Sequence, residues 1–123
     1  MLFRSMAQYE DIQIDQGTDV AVEIRLINPN QTKKNLAGYT AAAQMRRGVN
    51  SSDSDAITFT SIIAEPAVDG IVLLTLNNIQ TMAIAPGRYY YDVEISFRDS
   101  SNQTYIERVL YGNIDVVPNI TRV

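Results

Sequence analysis

The chain contains no cysteine, no histidine and no tryptophan. Without cysteine there can be no disulfide and no thiolate metal site, and the redox compartment is left open. Without histidine the chain lacks the commonest general base, the commonest zinc ligand and the side chain that titrates near neutral pH. A serine nucleophile would have no imidazole to activate it, and neither a G-x-S-x-G elbow nor a phosphate-cradling glycine loop occurs. Positive charge is also in short supply, with 10 Lys and Arg against 14 Asp and Glu, a net charge of −4. A protein that neutralises phosphates needs a basic face, whereas Lys33-Lys34 and Arg46-Arg47 are isolated doublets at turns or strand ends. No nucleic-acid partner is expected.

Long apolar runs are absent too. Nothing approaches the roughly 20 residues of a membrane span. The opening Met1-Leu2-Phe3-Arg4-Ser5-Met6 lacks the apolar region of a signal peptide and soon meets Glu10-Asp11. No membrane partner is expected, and synthesis and assembly in a cytoplasm is the expectation. The N-x-[ST] triplets at Asn30, Asn50, Asn102 and Asn119 then read as chance in a chain rich in Asn, Ser and Thr.

What is present is ordinary globular composition, 46% hydrophobic and 20% charged over 123 residues, enough for one domain with one core. One domain over 1–123 is expected, with residues 1–7 as a flexible N-terminal extension. The hydrophobic period is two rather than 3.6. Ile12 and Ile14 alternate with Asp11, Gln13 and Asp15; Val20, Val22, Ile24 and Leu26 alternate with Ala21, Glu23 and Arg25. Each such run is a half-buried strand. Asn28-Pro29-Asn30 breaks the pattern, as Pro and Asn do in turns. A further strand runs from Leu36 to Arg46, with Tyr39, Ala41, Ala43 and Met45 on one face. Arg47 to Ala56 is a polar loop. Ile57, Phe59, Ser61 and Ile63 resume the alternation, Asp69-Gly70 signals a hairpin turn, and Val72, Leu74 and Leu76 return.

Asn77 or Asn78 can cap a short helix in which Ile79, Met82 and Ala83 share a face, ended by Ala85-Pro86-Gly87. Tyr89, Tyr91, Val93, Ile95 and Phe97 then alternate with Tyr90, Asp92, Glu94 and Ser96. In the last strand, from about Thr104 to Val117, Ile106, Leu110, Ile114 and Val116 share a face, and Gly112 marks a bulge or a close backbone approach. About seven short strands separated by turns predict an all-β fold, an immunoglobulin-like antiparallel β-sandwich with one short helix before the penultimate strand.

Few constellations carry chemistry. Asp92 and Glu94 leave one strand face about 7 Å apart, but paired-carboxylate catalysis needs a cleft that raises one pKa, and alternation puts this pair on the wet face. Ser51-Ser52-Asp53-Ser54-Asp55 offers hard oxygen ligands, yet its spacing matches no EF-hand loop and reads as a polar loop. No catalytic residue, cofactor or metal is expected, and the chain is read as no enzyme. The seven tyrosines are more telling. Tyr89, Tyr90 and Tyr91 are consecutive, so at least one faces outward. Tyr105 and Tyr111 fall on the face opposite the apolar set of the last strand, with Val109 between them, and if the last two strands pair as a hairpin Tyr90 sits near them on one surface. Tyrosine supplies large contact area with a polar tip, so Tyr90, Tyr105, Val109 and Tyr111 form a candidate interface; strand propensity alone also favours Tyr.

The stretch Ala85-Pro86-Gly87-Arg88-Tyr89-Tyr90-Tyr91-Asp92-Val93 resembles the corner that leads into strand F of immunoglobulin-like domains, and places Tyr89 as a tyrosine corner. The antibody Cys and Trp are missing. A wider resemblance runs through Ile12-Gln13-Ile14-Asp15-Gln16-Gly17, Leu36 to Arg46, Asp69 to Leu76, Ala85 to Tyr89 and Leu110 to Pro118. That order is similar to small virion structural proteins of marine T4-like tailed phages and to the N-terminal domain of phage baseplate upper proteins. The resemblance implies a non-catalytic structural or assembly module of a neck, tail or baseplate. Its partners would be other virion proteins or copies of itself, as a homo-oligomer, and its location the virion. It brings no catalytic residues. The alternative is a carbohydrate- or ligand-binding β-sandwich module.

Overall fold

Alternating apolar residues make most of the chain into strands, and the structure, a computed structural model, describes residues 7–48, 50 and 56–121. Residues 1–6 of the expected extension, and Val49 and 51–55 of the expected loop, lie outside the described residues. The elements are β1 (Gln8–Tyr9), β2 (Ile12–Asp15), β3 (Val20–Arg25), β4 (Thr40–Arg46), β5 (Ile57–Thr58), β6 (Thr60–Ile63), β7 (Ile71–Leu76), α1 (Asn78–Met82), β8 (Gly87–Arg98) and β9 (Thr104–Val117). A 3-10 turn, Ala67–Asp69, precedes β7 and ends on Gly70 in the left-handed region, where glycine carries no Cβ penalty. The hairpin expected at Asp69-Gly70 is present, since β6 and β7 pair antiparallel on either side of it, and this turn lies in its loop.

Two sheets face each other. The larger has the order β1-β9-β8-β4-β5, with β2 also on β9; the smaller is β3-β7-β6. This is the strand arrangement of an immunoglobulin-like sandwich. Inward residues of both sheets form one core, with Ile14, Met45, Val93, Ile95 and Ile114 from the larger and Val72, Leu74 and Leu76 from the smaller, all nearly inaccessible.

The structure departs from the simple alternation at four places. The pairing is not antiparallel throughout, because β1 and β2 run parallel to β9. The run from Ile57 to Ile63 is two strands: β5 pairs with β4 and β6 with β7, so the chain changes sheets at Phe59. Phe59 itself is buried, and its amide still reaches the Ala43 carbonyl at 3.0 Å. A bulge lies between Val93 and Glu94 of β8, opposite Val109, and it shifts the register of β9 by one residue. Upstream of the bulge Ile106 therefore points out and is 66% exposed, whereas Leu110, Ile114 and Val116 point in.

The fourth departure is the helix. Of the two candidate caps Asn77 serves, in a capping box: the Asn77 side chain accepts from the Gln80 amide and the Gln80 side chain accepts from the Asn77 amide, both at 2.8 Å. Its expected apolar face does not pack. Ile79 is 78% exposed and Met82 46%. The buried residue is Thr81, whose hydroxyl donates to the Thr18 carbonyl at 2.7 Å and accepts from the Gly17 amide at 3.0 Å. A five-residue helix is too short to present a full apolar stripe, so it closes the β2–β3 turn by hydrogen bonds, and Ile84 just beyond it enters the core.

Candidate functional site

The long strands β8 and β9 decide what the larger sheet shows to solvent. On the inner face of β8, Tyr89 and Tyr91 are buried and use their hydroxyls structurally. Tyr89 donates to the Ala85 carbonyl at 2.8 Å, which is the tyrosine corner the sequence motif implies. The Arg47 guanidinium lies over its ring at 4.5 Å and also donates to the Pro86 carbonyl at 3.1 Å. Tyr91 donates to the Glu10 carbonyl at 2.7 Å. Burial chiefly, and then the nearby Glu10 and Asp11 charges, raise the Tyr91 pKa well above the ordinary tyrosine value.

That Tyr91 bond fixes where the N-terminal segment crosses from β1 to β2. Gly112 makes the crossing possible. A Cβ there would lie 2.1 Å from the Glu10 carbonyl oxygen, so only glycine lets the two backbones approach. The close approach anticipated from Gly112 is thus present, and the bulge lies elsewhere.

On the outer face, Tyr90 from β8 and Tyr111 from β9 stand close together, since Tyr90 pairs with Asn113 and Asp92 with Tyr111. Tyr9 from β1 joins them. Its ring meets Tyr111 edge-on at 5.3 Å, and its hydroxyl accepts from the Asn113 side chain at 3.1 Å. Its pKa is raised, first by a hydrogen bond with Asp11. The Arg108 guanidinium lies 4.1 Å from the Tyr111 ring centre. These groups, with Gln44 and Asp92, line an open depression of about 520 Å³. Tyr9 is 55% exposed and Tyr90 45%.

Four residues were expected on this face, and the structure brings only two of them together. Tyr90 and Tyr111 belong to it. Val109 is buried at the bulge, and Tyr105 lies on the inner side of β9, stacked on Phe97 at 5.1 Å beside Tyr39. The cause is the one-residue shift, because a single extra residue moves every side chain before it to the other face. Tyr9 was missed. A two-residue parallel strand has no alternation to reveal it, and the only local signal is an aromatic next to the acidic Glu10-Asp11 pair.

Chemically, this face offers aromatic area, amide and guanidinium donors and one carboxylate. Among the described residues no cluster of three or more acidic side chains is placed to hold a metal ion. Asp92 and Glu94 lie on this outer side in an open sheet, not in a closed cleft. The Ser51 to Asp55 oxygen cluster lies outside the described residues. No described helix is long and apolar enough to cross a membrane.

No protein-family model matches the chain, and no curated protein matches it in sequence. Among solved structures it is similar to murine CRIg, at 18% identity over 88% of this chain and 92% of that one, with a TM-score of 0.49. It is also similar to AggA, the major subunit of aggregative adherence fimbriae type I from Escherichia coli, at 8% identity over 87% and 89% of the two chains and a TM-score of 0.38. A chain of a type I cohesin–dockerin complex from Clostridium thermocellum matches at 13% identity over 87% and 94%, with a TM-score of 0.31. At such low similarity, the roles of individual residues rest on the geometry of this chain.

Proposed function

We propose that the chain is a non-catalytic assembly module of a tailed-phage particle, in its neck, tail or baseplate, and that it docks onto other virion proteins or copies of itself through the outer face of the larger sheet. The observation that carries the docking reading is the Tyr9–Tyr90–Tyr111 group on a broad, open sheet face. Exposed tyrosines beside Arg108, Gln44 and Asp92 have the composition of the centre of a protein interface, with aromatic area surrounded by groups that fix register. The phage setting is supported by the sequence resemblance from Ile12 to Pro118.

A carbohydrate-binding module would use the same rings differently, stacking a bare ring face on a sugar. Arg108 covers one face of Tyr111 and the Tyr9 ring stands nearly perpendicular to it at 5.3 Å, so this pair suits a flat polypeptide contact better than a sugar ring. Two measurements test the proposal. Light scattering on the wild type and on Tyr90→Glu should show an assembly that the substitution dissolves. In particles, a photo-crosslinking residue at position 90 should link the chain to a neighbouring virion protein. A monomer in solution together with no crosslink in particles would sink the proposal. Glycan binding that Tyr90→Ala abolishes would install the carbohydrate reading instead.

A further inference from the structure

The smaller sheet ends on β3, and no described strand pairs with the outer edge of β3. The Leu26 amide points toward β7, where it donates to the Gly70 carbonyl at 2.8 Å. By strand alternation the amides and carbonyls of Ala21, Glu23 and Arg25 point the other way. Among the described residues they have no backbone partner, because β3 pairs with β7 alone. The N-terminal strands do not cover this edge, since they pair with β9 in the other sheet.

Beside that edge the sandwich is open. A groove of about 730 Å³ runs between β3 on one side and β1 with the bulged part of β9 on the other. Its floor is apolar, made of Ile24, Val109 and Leu110. Glu10 and Glu107 stand on its β1–β9 wall, and neither forms an ion pair with a described residue. On the β3 side Arg25 is already held by Glu23 at 2.6 Å. The groove therefore combines unpaired main-chain groups, an apolar floor and a free acidic wall.

We infer that this groove is a strand-acceptor site, taking an extended segment of a different protein with apolar residues at alternate positions and a Lys or Arg beside Glu10 and Glu107. The bare amides select an extended backbone, the floor takes every second side chain, and the acidic wall sets the charge. Six residues of β3 offer a docking length of about 20 Å. The site is separate from the tyrosine face, so it stands or falls independently of the proposed function.

The test uses the full-length protein and a synthetic hexapeptide that alternates valine and threonine and ends in lysine. Amide exchange followed by NMR should slow about tenfold or more at Ala21, Glu23 and Arg25 when the peptide is added. Glu23→Pro removes one outward amide and leaves the β7 ladder intact, because an edge strand accepts proline on its free side. It should melt as the wild type does and lose the peptide. Glu107→Lys should reverse the preference between this peptide and one ending in glutamate. No change in exchange on adding the peptide would overturn the inference. So would protection of these amides in the protein alone. Protection independent of concentration would mean that the chain's own segment fills the groove, and protection that grows with concentration would mean that a second copy does.

Discussion

The two faces of β8 carry the same residue type to opposite ends. Tyr89 and Tyr91 point inward and each hydroxyl has a carbonyl to hold, at Ala85 and Glu10. Tyr90, between them, points outward, nearly half exposed, with its ring on an open surface. The inner pair anchors two chain crossings, one after α1 and one between β1 and β2. The outer residue's hydroxyl holds no carbonyl among the described residues. The contrast teaches that a run of three tyrosines is not one feature: burial turns two of them into struts and leaves the third available to a partner.

Substitutions that act on only one side of this contrast sharpen it. The largest effect is expected at the crossing that Tyr91 holds. Gly112→Val places a Cβ against the Glu10 carbonyl and should destabilise by about 3 kcal/mol, read as a lowered denaturant midpoint, together with loss of the β1 pairing in amide exchange. A midpoint equal to the wild type's would show that β1 does not cross there. Tyr91→Phe keeps the ring and strands the Glu10 carbonyl, at an expected cost of about 1–2 kcal/mol.

Tyr91→Phe also has a pH signature. In the unfolded chain a tyrosine ionises near pH 10, roughly its ordinary value, whereas in the fold burial holds Tyr91 protonated to higher pH. The folded pKa is the raised one, so its contribution is complete below about pH 10 and is lost as pH rises toward the folded value. The wild type should therefore lose stability from about pH 10 upward more steeply than Tyr91→Phe. Parallel alkaline curves for the two proteins would refute the assignment. The smallest effect belongs to the outer face: Tyr90→Ala should change stability by no more than about 0.5 kcal/mol while weakening assembly. A large loss of stability there would erase the distinction between strut and contact.

Much of this was legible in the residues. Alternation assigned Tyr89, Tyr91, Val93 and Ile95 to the core and Tyr90 to the outside, and a cap at Asn77 or Asn78 announced α1. The candidate outer face was legible only in part. Tyr90 and Tyr111 were found, while Tyr105 and Val109 were placed on the wrong side by a bulge that leaves no mark on the local pattern. In α1, five residues carried an apolar spacing that predicted burial, and the fold buried Thr81 instead.

The division follows from the range of the forces. A strand's period of two is a property of its own backbone, so the sequence by itself determined where the longer strands lie and which faces of β8 meet the core. Register, sheet membership and strand direction depend on partners distant along the chain. Only the tertiary structure decided that β1 and β2 run parallel to β9, that Phe59 carries the chain from one sheet to the other, and that among the described strands β3 pairs on one edge alone. Each of those is settled by pairing and packing between segments, where a one-residue shift at Val109 outweighs any local preference.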